Sequence, residues 1–562
     1  MTRDPKLAAL RAALVAVVAA GLLAAPAGAA KGFRFNGSGW GHGIGLGQYG
    51  AFGLAKEGWG PAKIVRHFYT NTSVQRRDPP KGRFRVGLLQ GRQSVSVAVQ
   101  RGRAVLRVGK AVVERIRAGA TRRILIVNGR YRVKRPNGSV VKKRLWGSAK
   151  KPLEVRLKNG GVVRVPEWGH SAGRGFLRLK IVGKRSAHLV AVVPAEKYLY
   201  GLGEVPSSWP MAALKAQAIA ARSYAYVVVG FGRTGCACDI YASTRDQAYV
   251  GWDKESGTAG GRWVKAVGGT SRKVAVHGGA VIQGLYSSSS GGYTENVENV
   301  WGGGAVGYLK GVCDPGDWTT ANPNRLWSTS FTPRGLASRL GRPNGIVRVT
   351  AVNVNKRGVS GRVVTATVKG KRGNGSTASW STSGWNLRGR LGLRDTRFWV
   401  NQDRQVTGKI REAYDELDCR PGLPKSNQKK ISGARWQRFE NGRIYHHAGR
   451  KRETWLRGSV LDAYLSLGGH GGFLGRPWSY GAQAGGVRAR FDGGAIYHHD
   501  AVGAHEVHGP VLATYLSHGG PASVLGFPTS DVVSEADGTL VSTFQGGTIS
   551  CPPDAGCTVT PA

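Results

Sequence analysis

The last quarter of the chain repeats itself, and the period restricts its fold more than any other feature. Phe439-Glu440-Asn441-Gly442-Arg443-Ile444-Tyr445-His446-His447 returns as Phe491-Asp492-Gly493-Gly494-Ala495-Ile496-Tyr497-His498-His499. A shorter copy starts at Phe544-Gln545-Gly546-Gly547, the intervals being 52 and 53 residues. Between them, Tyr464-Leu465-Ser466 with Leu474-Gly475-Arg476-Pro477 matches Tyr515-Leu516-Ser517 with Leu525-Gly526-Phe527-Pro528. Units this short cannot each enclose a large core, so residues 431–562 are expected to form an array of small β-rich units. Neighbouring side chains on a strand face opposite ways, so the paired histidines are not read as metal ligands.

At 562 residues the chain predicts two or three domains. From Arg83 to Val193 the apolar residues alternate in short runs broken by Gly and Asn, as in Val95-Ser96-Val97-Ala98-Val99, which is the period of strands. One helix stands out, Trp209 to Val229, with Pro210 at its start, an Ala-rich body and Gly230 as its stop. Strand patterns resume at Val347 to Val368 and end near Phe398-Trp399-Val400. The expected class is α+β: a strand-rich mixed domain over residues 31–402 with one central helix, a polar linker over 403–430 containing Pro421 and Pro424, then the repeats.

Lys6 and Arg11 precede an apolar stretch, Ala12 to Ala25, and Ala27-Gly28-Ala29 offers a cleavage site, so residues 1–30 read as a secretory signal. A run of about 14 apolar residues falls short of the ~20 that span a bilayer. The net charge is +50, and it is concentrated: residues 81–190 hold 29 Lys and Arg against Glu114, Glu154 and Glu167, whereas 431–562 hold ten of each sign. Such a surface attracts polyanions. For an exported chain the order of expected partners is wall polymers, then membrane surface, with nucleic acid set aside. Six cysteines in an exported chain point to disulfides. Cys551 and Cys557 enclose a short turn and are expected to bond. Cys236 and Cys238 are expected to reach elsewhere, with Cys313 and Cys419 as the available partners. Zinc would need further ligands nearby, and only Asp239, Asp246 and His277 are on offer.

Three clusters carry chemistry. Glu204 lies just before the helix, hemmed by Val205, Pro206 and Trp209, where apolar surroundings would raise its pKa and make it a general acid for glycoside cleavage. The same carboxylate could instead only complement the helix dipole. Gly39-Trp40-Gly41-His42-Gly43-Ile44-Gly45-Leu46-Gly47-Gln48-Tyr49-Gly50-Ala51 has a glycine at nearly every other position, so its backbone can approach a ligand closely and present His42, Gln48 and Tyr49, or the glycines can serve packing alone. The run Tyr286-Ser287-Ser288-Ser289-Ser290-Gly291-Gly292-Tyr293-Thr294-Glu295 has no local His to activate a serine.

Taken together with Pro194-Ala195-Glu196-Lys197-Tyr198-Leu199, Ala220-Ala221-Arg222-Ser223-Tyr224 and Asp246-Gln247-Ala248-Tyr249, these clusters resemble the stage II sporulation protein D and amidase enhancer B family over roughly Phe33 to Val400. The tail resembles the LGFP repeat, named for Leu525-Gly526-Phe527-Pro528, which is thought to hold exported proteins to the wall. The first resemblance implies a lytic transglycosylase acting on peptidoglycan glycan strands, with Glu204 as the catalytic acid and Arg222, Tyr293 and Tyr49 in the active groove. Its other branch implies an activator of a cell-wall amidase. The Gly-His-Gly motif normally closes such a domain, whereas here it precedes the first strand, so the domain reads as circularly permuted. Gly39 to Ala51 should then pack beside Val400. Asp246 stands where zinc-carrying members have a Cys, so no metal or other cofactor is expected. Peptidoglycan strands, anionic wall polymers and an amidase are the implied partners.

Overall fold

The computed structural model describes residues 32–562 apart from 232, 234 and 450–452, so the signal sequence lies outside the described residues. Among the described residues no helix is long and apolar enough to cross a membrane. The architecture mixes helices and strands, as the alternating patterns predict, and ends in a β-rich repeat region.

In chain order the elements that matter are β1 (Phe33–Gly37), α1 (Gln48–Lys56), β2 (Arg83–Arg92), β3 (Ser94–Val108), β4 (Ala111–Arg117), β5 (Thr121–Val127), β6 (Arg130–Lys134), β7 (Leu153–Val165), β8 (Phe176–Gly183) and β9 (Ser186–Pro194). They are followed by α2 (Met211–Phe231), β10 (Ile240–Tyr241), α3 (Trp252–Ser256), β11 (Trp327–Phe331), β12 (Ile346–Arg357), β13 (Val363–Arg372), β14 (Thr377–Ser383), α4 (Gly384–Leu391), β15 (Phe398–Val400) and α5 (Gly408–Glu416). A ten-stranded sheet runs β10-β2-β9-β8-β7-β3-β5-β6, with β4 and a short His170–Ala172 strand joined at its side. Its alternate residues, among them Val95, Val97, Leu106, Val155 and Leu189, enter the main core with α2. The Ala-rich body of α2 is buried on nearly every side, which small side chains permit because neighbouring elements can approach its backbone.

A second core lies between the sheet β11-β1-β15 and the sheet β12-β13-β14 with α4, around Phe35, Trp327, Val363, Leu387 and Phe398. Here β1 pairs with β15, Phe35 opposite Val400. The glycine-rich segment that follows β1 is held to the residues before β15: Ser38 N–H donates to the Arg397 carbonyl and Gly41 N–H to that of Arg394. The start of the described chain is thus seated against residues nearly 360 positions later.

Two expectations are corrected. Residues 403–430, read as a linker, hold α5, whose Ile410, Ala413 and Tyr414 pack with Phe439 and Ile444. Tyr414 stacks on Phe439 as Tyr464 does on Phe491 and Tyr515 on Phe544, so α5 is the helix of the first of three helix-plus-four-strand units. Cys236 and Cys238 bond to each other, and Cys313 bonds Cys419. Ala237 takes a left-handed turn at φ 52°, which brings the flanking cysteines to a Cα separation of 5.1 Å, within disulfide reach. The Cys551–Cys557 bridge is present as expected. Among the described residues the one cluster of would-be metal ligands is Cys313, Asp415 and Cys419, and its two sulfurs are joined.

Candidate active site

Glu204 sits between α2 and the loop that ends β9's helical extension, where Gly203 N–H donates to the Ala248 carbonyl and pins the turn. Its Oε1 accepts hydrogen bonds from Ala248 N–H at 2.7 Å and Tyr286 Oη at 3.0 Å. Burial raises its pKa above the usual carboxyl range, while those two donors and the Lys254 ammonium pull the other way. Lys254, on α3, is pushed down to about 8 by burial, opposed by Glu204, and its Nζ donates to the Val205 carbonyl. Among the described residues no hydrogen bond reaches Glu204 Oε2, the oxygen left for a ligand in the adjoining cleft.

A relay fixes Oε1. Tyr198 Oη donates to Gln247 Oε1 at 2.9 Å, Gln247 Nε2 donates to Tyr286 Oη at 2.9 Å, and Tyr286 donates onward to Glu204. Gln247 is fully buried, so its amide has one orientation that satisfies both neighbours. Beside the relay, Tyr224 Oη donates to Asp246 Oδ1, which also takes Arg233, while Asp246 Oδ2 accepts the Tyr241 N–H. Asp246 is thereby committed to an ion pair.

The cleft in front of Glu204 has a volume of about 620 Å³ and is walled by Trp40, Trp301 and Trp385, with Gln48, Tyr224 and Arg388 among its polar groups. Trp40 and Trp301 are about half exposed, Trp385 meets Trp301 edge-on, and Arg388 lies 4.8 Å above the Trp385 ring. Large exposed indoles around a polar floor suit the apolar faces and hydroxyl edges of sugar rings. His42 packs under Trp301 with ring centres 5.1 Å apart. Its Nδ1 accepts the Ile44 N–H, so the proton of the neutral ring is on Nε2. Burial, helped by the nearby Arg362 charge, lowers its pKa to about 4, so at neutral pH His42 is an uncharged hydrogen-bonding group.

Of the residues expected to serve the site, the structure brings Glu204, His42 and Gln48 into one cleft. Three others are elsewhere. Arg222 is completely buried, clamped on Glu196 at 2.8 and 3.0 Å and donating to the Ala218, Lys273 and Val267 carbonyls, so all five of its hydrogens are engaged and none is left for a substrate. Tyr293 lines a separate groove with Tyr414 and Asp418 that shares no residue with the Glu204 cleft. The Tyr49 ring rests against Trp209 and Phe52 outside the cleft lining. The alternate glycines also act inward. At Gly43 (φ 72°) a Cβ would collide with the Arg362 guanidinium, and at Gly45 (φ 67°) with the Leu285 carbonyl.

The second half of the serine run is structural, whereas Ser287 and Ser288 line the Glu204 cleft. Ser290 Oγ donates to Asp314 Oδ2 at 2.6 Å and Ser289 Oγ to Asp317 Oδ2 at 2.7 Å, all four residues being buried. Burial and the adjacent Asp317 charge push Asp314 well above the usual carboxyl range, and among the described residues its buried Oδ1 has no hydrogen-bond partner. Tyr286 and Gln247 stand in motifs quoted above without a role, and Lys254, Trp301 and Trp385 are site residues that the sequence does not mark.

Residues 183–277 match the family described as Stage II sporulation protein, and residues 422–472 and 474–523 match the LGFP repeat. Glu204, Tyr224 and Gln247 fall inside the first match. The chain is 29% identical over 240 residues to stage II sporulation protein D of Bacillus amyloliquefaciens, covering 40% of this chain and 66% of that protein. It is 27% identical over 230 residues to the Bacillus subtilis (strain 168) stage II sporulation protein D, covering 38% and 63%. With the Bacillus subtilis (strain 168) amidase enhancer it shares 35% identity over 136 residues, 24% of this chain and 17% of that one. The chain therefore spans just under two thirds of the length of the sporulation relatives and much less of the enhancer. The chain thus carries a segment around Glu204 that matches the Stage II sporulation protein family, followed by LGFP repeats.

Proposed function

We propose that this is a cell-wall-associated, peptidoglycan-processing protein, and specifically an exported lytic transglycosylase that cuts N-acetylmuramic acid–N-acetylglucosamine strands with Glu204 as its acid and base. The observation that carries this reading is one buried carboxyl of raised pKa, tied at Oε1 and open at Oε2, at the foot of a tryptophan-walled cleft. Protonated Glu204 gives its proton to the bridging oxygen as the bond from that oxygen to muramic C1 breaks. The carboxylate then takes the proton of the C6 hydroxyl as O6 bonds C1, closing an anhydro ring. No water is consumed, so one carboxyl serves both steps where hydrolases use two. The LGFP repeats would keep the protein in the wall, and its basic sheet would face the anionic polymers there.

Incubating the folded protein with peptide-free glycan strands should release anhydro-ended fragments by mass spectrometry, and Glu204→Gln should release none. Absence of fragments from folded protein, or equal product from the variant, overturns the catalytic reading. The likeness to an amidase enhancer favours a second reading, a non-catalytic activator of an N-acetylmuramoyl-L-alanine amidase. In that case Glu204→Gln protein would stimulate such an amidase as well as the unaltered chain does.

A further inference from the structure

The ten-stranded sheet carries a second concavity, of about 900 Å³, that shares no residue with the Glu204 cleft. Strand register explains its charge. Arg103 on β3 is opposite Arg117 on β4 and Lys158 on β7, making one row of three cations. In the next row Val105 is flanked by Arg115 and Arg156, with Phe176 of β8 beyond. Arg107, two positions from Val105 on the same face, closes the third. Paired residues on neighbouring strands project from one face, and like charges placed directly opposite destabilise a sheet.

Among the described residues Glu154, which pairs with Arg156 and stands opposite Arg107, relieves only part of that repulsion. Glu114 is held by Arg122, Glu154 by Arg156 and Arg178, and Glu167 by the Ser96 N–H. Among the described residues, Arg103, Arg115, Arg117 and Lys158 are exposed and have no acidic partner. A concave cluster dominated by arginine, with four of its cations unpaired and a planar fork that matches phosphate oxygens, has the chemistry of a polyanion site.

We infer that this groove binds a phosphodiester-linked polyol or sugar polymer of the wall. Cations in one row are about 4.8 Å apart and successive rows about 6.6 Å, so a chain with a charge on every short repeat can meet several at once. A glycan with one carboxylate per disaccharide meets fewer. The groove's aromatic, Phe176, is buried beneath the Arg156 guanidinium, 3.5 Å from its ring, so no exposed ring is available to stack a nucleobase. The inference rests on the wall location proposed above but not on any chemistry at Glu204.

The test titrates the full chain with purified poly(glycerol phosphate), with polyglutamate of equal charge and with a single-stranded oligonucleotide, at several salt concentrations. Poly(glycerol phosphate) should bind tightest, and its affinity should fall as salt rises. Arg103→Gln/Arg117→Gln should weaken it about tenfold at low salt and flatten the salt dependence, while raising the melting temperature without polymer because a like-charge pair is relieved. Glu204→Gln should bind as the unaltered chain does. Unchanged affinity in the folded double variant, equal binding of polyglutamate, tighter binding of the oligonucleotide, or loss in Glu204→Gln would each overturn the assignment. Absence of glycan cleavage would leave it standing.

Discussion

Tyr286 Oη donates to Glu204 Oε1 while itself accepting from Gln247 Nε2, so the phenol transmits a fixed amide orientation to the carboxylate. This hydrogen bond favours the charged form and opposes the upward push of burial. In Tyr286→Phe the opposition weakens and the carboxyl holds its proton to higher pH. Since the acid step needs that proton, the alkaline limb of the pH profile for anhydro-product formation should move upward, at a lower maximal rate. A limb that stays in place would show that Glu204 is not the titrating acid.

Glu204 itself should be a stability liability. Its folded pKa is above the ordinary carboxyl value, so its contribution is intact below that value and is lost as pH rises through the raised one. Glu204→Gln keeps an acceptor for Ala248 and Tyr286 but no charge. Thermal unfolding at neutral pH and above should therefore show the variant melting higher than the parent, with the gap closing in acid.

Trp301 is about half exposed and touches His42 and Trp385 at the cleft wall. Trp301→Ala should leave the melting temperature nearly unchanged and raise KM for glycan strands about tenfold, the scale of one lost ring-stacking partner. The rate at saturation should be much less affected, because no proton moves through the indole.

Arg222 gives the opposite pattern. Arg222→Met leaves Glu196 without its buried partner and should lower the unfolding free energy by about 3 kcal/mol, measured by urea denaturation. Activity per folded molecule should persist, and adding Glu196→Gln should restore part of the stability.

Asp314 is expected to hold its proton to higher pH in the folded chain than in the unfolded one, its pKa driven up by burial and by Asp317. Its stability contribution is present below the ordinary carboxyl value and lost as pH climbs through the raised one. Urea denaturation at pH 5 and pH 9 should show Asp314→Asn gaining on the parent at the higher pH.

What the sequence made legible follows from local physics. Alternation located β2, β3 and β7, the Ala-rich run located α2, and the carboxyl before it pointed to Glu204. Contacts made by distant segments were not readable: Tyr286 meets Glu204 across 82 residues, and Trp385 comes from α4, where no local pattern marks it. Arg222 enters the expected groove through the family resemblance alone, yet its partner Glu196 is visible in the neighbouring motif. Val406, Ile410, Ala413 and Tyr414 do keep the spacing of a helix face, a signal masked by the polar residues around them and by Pro421 and Pro424.

The Cys313–Cys419 bridge, 106 positions apart in sequence, has a topological consequence. It closes the stretch between them into a covalent ring that contains β11 to β15 and α5. A single protease cut anywhere within that ring opens it but leaves both pieces attached, so the repeat units stay joined to the Glu204 domain. Cuts confined to the ring set them free only when the bridge is also reduced.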